Sequence, residues 1–138
     1  MMWLDGGIHM DPNLRHALIR CETDIEGALL RLSNDESMYL SCLALFLDDR
    51  TTQDLGNAIH AKKWDDAFTA AHALKGVAGN MGFIPLFHAT AEIVVLIRAG
   101  KIHDIEASYQ ELQQHYQRIT TTIRDNLPNA DRPKGETL

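Results

Sequence analysis

Ile105, Tyr109, Leu112, Tyr116, Ile119 and Ile123 recur at alternating steps of four and three residues, and no other feature limits the possible folds as tightly. A helix advances about 100° per residue, so these side chains form one long apolar stripe of the kind that packs in antiparallel bundles. The same period recurs upstream. Leu14, Leu18, Cys21, Ile25, Leu29 and Leu32 make a first stripe, and Thr23 with Glu26 has capping-box spacing that predicts a restart within it. Asp35 is placed to cap a helix from Glu36 to Asp49. Its Tyr39, Leu40, Leu43, Leu45, Phe46 and Leu47 make it apolar on more than one side, so it is either central or partly exposed for docking. A shorter helix is expected from Thr52 to Ala61, and a longer one from Asp65 to a left-handed stop at Gly82. Pro85 suits the first turn of the next helix, which stops at Gly100. No alternating strand pattern or internal repeat competes with this reading. The expected fold is all-α, an up-and-down four-helix bundle with additional short N-terminal helices.

A chain of 138 residues suggests one domain, too small for a kinase with its own nucleotide site. Residues 1–10, with a Gly-Gly pair and Met10 placed like a start, are expected to be a flexible extension, vector-derived or native. Residues 11–126 would form the bundle, and 127–138, with Pro128, Pro133 and Gly135 among polar residues, a disordered tail. A net charge of −6 argues against nucleic-acid or anionic-membrane partners. No run approaches the roughly 18 apolar residues of a membrane span, and no secretory signal pattern is visible. Cys21 and Cys42 lack metal-ligand spacing and read as reduced small hydrophobes. A cytoplasmic monomer is the expectation.

The functional signal lies between Ala67 and Gly82. On a helical wheel Ala67, Ala70, Ala71, Leu74, Val77, Ala78 and Met81 collect on one side, which would face the core. Phe68, Thr69, His72, Lys75, Gly76 and Gly79 collect on the other, with Asn80 at its edge. An ordinary solvent face would carry Glu, Lys and Gln. This one carries a histidine followed by two glycines, each costing about 1 kcal/mol relative to alanine inside a helix. Such a bare strip lets a second macromolecule bring a reactive group against the imidazole. A neutral imidazole nitrogen is a competent nucleophile toward a phosphoryl group, and Lys75, one turn on, places a cation where a phosphate on the ring would lie. Phe68 is read as a rim contact for the partner. No P-loop, glycine-rich kinase loop or paired acidic pocket is present, so the partner must supply the catalytic apparatus and its metal.

The remaining histidines carry less. His88 and Glu92 have i, i+4 spacing, yet two ligands make no structural zinc site, and solvated helix residues explain them better. His9, His16, His60, His103 and His115 share no convergent spacing, and no metal site is expected. Asp48, Asp49, Asp65 and Asp66 read as helix-end charges.

The run His72-Ala73-Leu74-Lys75-Gly76-Val77-Ala78-Gly79-Asn80-Met81-Gly82 resembles the signature of histidine-containing phosphotransfer (Hpt) domains, His-x-Leu-Lys-Gly-x-Ala/Ser-x-x-apolar-Gly. The likeness extends over roughly residues 22–124. His-x-x-Lys alone would be weak, but five fixed positions within eleven residues are specific. The resemblance implies a four-helix bundle that relays a phosphoryl group between receiver-domain aspartates in a multistep phosphorelay. Its partners would be response-regulator receivers and a hybrid sensor histidine kinase. It further implies His72 as phosphoacceptor, Lys75 as phosphate stabiliser and Gly76 as clearance for the receiver. Phe68, Thr69, Gly79 and Asn80 are the other candidate docking residues. Kinase activity is not implied, no cofactor is expected to be bound, and the divalent metal would come from the receiver. Val77 departs from the family pattern, and the wheel turns it toward the core. A bundle that binds receivers or kinases without being phosphorylated is the alternative, against which the intact His-Lys-Gly set argues.

Overall fold

The computed structural model describes residues 9–128. Among them, seven α-helices follow one another: α1 (Pro12–Arg20), α2 (Ile25–Arg31), α3 (Glu36–Asp48), α4 (Thr51–His60), α5 (Trp64–Met81), α6 (Ile84–Ala99) and α7 (Ile105–Asn126), with a 3-10 turn at Ile102–Asp104 before α7. Helices α4, α5, α6 and α7 pack in sequence, and α4 also meets α7, which closes an up-and-down four-helix ring. Short connections enforce this order, since neighbours joined by a few residues must run antiparallel. α1 lies along α7, α2 leans on α5, and α3 packs against α7 as well as α5.

The core follows the sequence periodicity. Ile105, Tyr109, Leu112, Ile119 and Ile123 of α7 are buried, and Tyr116 is half-buried against them. They meet Ala67, Ala71, Leu74 and Ala78 of α5 and Leu86, Ile93 and Leu96 of α6 in one continuous apolar cluster. The alanine side of α5 lets the neighbouring helices approach closely, while larger residues on α6 and α7 fill the volume.

Three expectations are corrected. The cap of α2 is Asp24, whose Oδ1 accepts from the Gly27 amide at 3.0 Å, and not Thr23. Thr23 is instead held extended in an isolated antiparallel bridge with Phe83, and its buried hydroxyl has no protein hydrogen-bond partner. Met10 belongs to the domain and not to an extension: its amide donates to Glu36 at 2.8 Å and its side chain is buried. Leu127 likewise packs into the core and its amide reaches the Ile123 carbonyl, so the bundle runs past 126. Residues 1–8 and 129–138 of the expected tails lie outside the described residues.

The last turn of α5 is fastened from outside. Helix ends leave carbonyls without intrahelical partners, and here each finds one. Arg31 donates to the Gly79 carbonyl at 2.7 Å and to that of Asn80 at 3.1 and 3.2 Å. The Tyr39 hydroxyl donates to Met81 at 2.9 Å, and burial holds that phenol protonated by pushing its pKa well above the ordinary value. The Asp24 amide donates to Gly82 at 2.8 Å. Gly82 ends the helix at φ 79°, and a Cβ there would stand 2.3 Å from the Asp24 carbonyl oxygen. Left-handed conformation and close backbone approach both require glycine. The α5 helix therefore presents its outward face from a rigid seat.

Candidate functional site

His72 lies near the middle of α5 with its side chain exposed. The imidazole stacks on Phe68, one turn earlier, with ring centroids 6.0 Å apart and planes 11° from parallel. Phe68 is half-buried, and on α6 the Arg98 guanidinium carbon lies 5.2 Å from the centre of its ring. Lys75 is also half-buried, with Nζ 5.8 Å from the centre of the Phe87 ring. Two cations thus rest on two aromatic rings along the edge of the His72 strip that faces α6. α6 supplies Phe87 and Arg98, and the spacing within α5 held no sign of either.

The two glycines differ. At Gly76 a Cβ would meet nothing within 4 Å, so its bareness opens onto solvent beside the imidazole. At Gly79 a Cβ would lie 3.3 Å from two ring carbons of Phe87, so the missing side chain is taken up by the fold itself. Thr69 is exposed, its hydroxyl bonded back to the Asp65 carbonyl at 3.1 Å. Asn80 is exposed on the opposite edge of the strip.

That opposite edge borders α3. Val77, Asn80 and Met81 of α5 join Cys42, Leu45 and Phe46 of α3 around a groove of about 420 Å³. Leu45 is 59% exposed and Met38, two turns earlier on α3, is 49% exposed. The apolar excess of α3 is therefore divided: Tyr39, Leu40, Leu43 and Phe46 enter the core while Met38 and Leu45 face out. Val77 packs against the core as expected but is only half-buried, its remaining surface lining this groove.

A second cleft, of about 460 Å³, separates α6 from α7 and is lined by His88, Glu92, Glu111 and His115 with Ser108. His115 Nε2 stands 3.9 Å from a Glu111 oxygen. Among the described residues, no group of three or more His, Cys, Asp or Glu side chains stands as a metal cage.

A family model for the Hpt domain matches residues 43–122, more than half of the chain. The chain belongs to the Hpt family. No curated protein and no solved structure matches it. Hpt domains are helical phosphocarriers of two-component phosphorelay signalling, and they interact with receiver domains and histidine kinases. The matched segment contains His72, Lys75, Phe87 and Arg98 but not Asp24, Arg31 or Tyr39. The helices that fasten the end of α5 thus begin upstream of the family match. No helix among the described residues is long and apolar enough to cross a membrane.

Proposed function

We propose that this chain is a phosphocarrier that accepts a phosphoryl group on His72 from a receiver-domain aspartate and passes it to the aspartate of another receiver. One observation carries the reading: the exposed imidazole stands at mid-helix beside an open glycine position and a lysine one turn away. The lone pair of the neutral ring attacks phosphorus, the N–P bond forms as the acyl O–P bond breaks, and the aspartate leaves as a carboxylate. The ring keeps its other N–H and becomes a phosphorylated imidazolium. The reverse displacement on a second aspartate completes the relay. Both are in-line displacements that need positioning and charge more than covalent catalysis.

Lys75 neutralises part of the phosphoryl charge, swinging on its flexible stem from the Phe87 ring. Gly76 gives the receiver room, with the exposed Thr69 and Asn80 beside the contact. The apolar groove between α3 and α5 takes the partner's hydrophobic surface, continuous with the reacting strip through Asn80 and Val77. The receiver brings the divalent metal, and the chain has no kinase activity of its own. It works in the cytoplasm as a monomer, and a hybrid sensor kinase feeds the relay.

Incubation with a phosphorylated receiver, followed by intact-mass measurement, tests the reading. The wild-type chain is expected to gain one phosphoryl group and His72→Gln none. Equal labelling of both forms would remove His72 from the role. Receiver binding that survives His72→Ala, with no label on the wild type under any receiver of a panel, would favour the adaptor.

A further inference from the structure

Phe68 was expected to touch the receiver, but its contacts within the chain point to a different task. The ring is half-buried, parallel to the His72 imidazole within 11°, and beneath the Arg98 guanidinium at 5.2 Å. Arg98 comes from α6, so the stack ties the reacting side chain of α5 to the neighbouring helix. A solvent-exposed histidine at mid-helix otherwise turns freely about its terminal torsion, which is broad and roughly two-fold. Free rotation spreads the nucleophilic lone pair over directions that miss the phosphorus. A flat neighbour stacked on the ring narrows that range, provided the neighbour is itself held.

We propose that Phe68 and Arg98 are positioning residues for His72, the guanidinium bracing the phenyl ring and the phenyl ring fixing the plane of the imidazole. This rests on the phosphocarrier reading above. Neither residue contacts the transferred group. Arg98 suits the task because its planar cation can lie over an aromatic face, which the compact ammonium of lysine does less well. Lys75 is left free to follow the phosphate, since its own resting place is the separate Phe87 ring.

The test uses Phe68→Leu, Phe68→Tyr, Arg98→Met and Arg98→Lys in the full chain, with circular dichroism to verify the fold. Two readouts are needed. The first is the proton magnetic resonance of the His72 ring in the free protein. Phe68→Leu and Arg98→Met should both move the ring protons toward the position of an unstacked imidazole, and Phe68→Tyr should leave them in place. The second is the transfer rate from a phosphorylated receiver as a function of receiver concentration. At saturating receiver Phe68→Leu should slow transfer about tenfold, because orientation is lost while encounter is not. Arg98→Met should slow it about threefold, the scale of one exposed cation–π contact, with Arg98→Lys between it and wild type. Phe68→Tyr should restore the rate.

Unmoved ring protons, or an unchanged saturating rate in Phe68→Leu, would overturn the proposal. So would a loss confined to the receiver concentration needed, which would make Phe68 a docking contact instead. Failure of the wild-type chain to accept any phosphoryl group would sink the phosphocarrier reading, while the resonance arm would still decide whether the brace exists.

Discussion

Toward α6 the His72 strip is bordered by Phe68 under Arg98 and Phe87 under Lys75; toward α3 it is bordered by Val77, Cys42 and Leu45 around an open apolar groove. One edge concentrates positive charge on rigid aromatic supports. The other offers hydrophobic area, with Asp49 in its lining. A phosphoryl dianion gains from the first and nothing from the second, whereas a protein partner gains most where apolar surface leaves water. On the phosphocarrier reading proposed above, the division separates chemistry from attachment on a single helix, and it can be attacked at the boundary or on either edge.

The boundary is Gly76, where the largest effect is expected. A Cβ at Gly76 meets no neighbour within 4 Å, and leucine is about 1 kcal/mol better than glycine inside a helix. Thermal or chemical denaturation should therefore show a stabilised protein. On the proposed reading the leucine side chain would stand between His72 and an approaching aspartate, and displacement of the reacting atoms by about 1 Å costs on the order of 100-fold in rate. Stability and transfer should move in opposite directions. A variant that is stabilised and still transfers at the wild-type rate would show that the receiver does not approach over Gly76.

Substitutions on the two edges should have different kinetic signatures. Lys75→Gln removes the cation nearest the phosphoryl group and should cut transfer at saturating receiver about tenfold, the scale of one charge-assisted contact. Leu45→Lys places a charge in the groove and should leave the saturating rate intact. It should raise the receiver concentration needed about tenfold, since burying one exposed leucine contributes about 1–2 kcal/mol. Rate measurements over a range of receiver concentrations distinguish the two. If both variants change the same parameter, the separation of chemistry from attachment is wrong.

Much of this arrangement was legible along the chain because it follows one helix's own period. The seam of α7, the left-handed ends at Gly82 and Gly100, and the outward set of His72, Lys75 and Gly76 all depend on local spacing. What escaped depends on which helices become neighbours. Phe87 and Arg98 reach the strip only once α6 is laid antiparallel to α5, and no spacing within α5 announces them. Arg31 reaches the α5 carbonyls at Gly79 and Asn80 only because α2 is laid against α5, which no spacing within α2 announces. At the start of α2 the capping-box spacing points to Thr23, and the cap is its neighbour Asp24. Asp24 prevails because the Thr23 backbone is committed to Phe83, whose pairing brings Gly82 against Asp24. Val77 turns toward the core as the wheel has it, but the wheel does not show the groove between α3 and α5 that leaves it half-buried.

The smallest effect should come from the other glycine of the strip, and it separates two explanations of why that position is bare. If Gly79 were bare for the partner's sake, Gly79→Ala would lower transfer and leave the fold as stable as a Gly76→Ala control. The fold offers a competing reason, because the added Cβ would press on Phe87 at 3.3 Å. Phe87 is half-buried at the edge of α6 and must shift by a few tenths of an ångström. That shift should consume most of the roughly 1 kcal/mol that alanine gains over glycine in a helix. Denaturation of the pair should therefore show Gly76→Ala stabilised by nearly the full increment and Gly79→Ala by little or nothing. The displaced ring carries Lys75, so transfer in Gly79→Ala should fall about twofold at saturating receiver, through the lysine's resting place. A full stability gain at Gly79 together with a loss in receiver affinity would return that glycine to the docking surface.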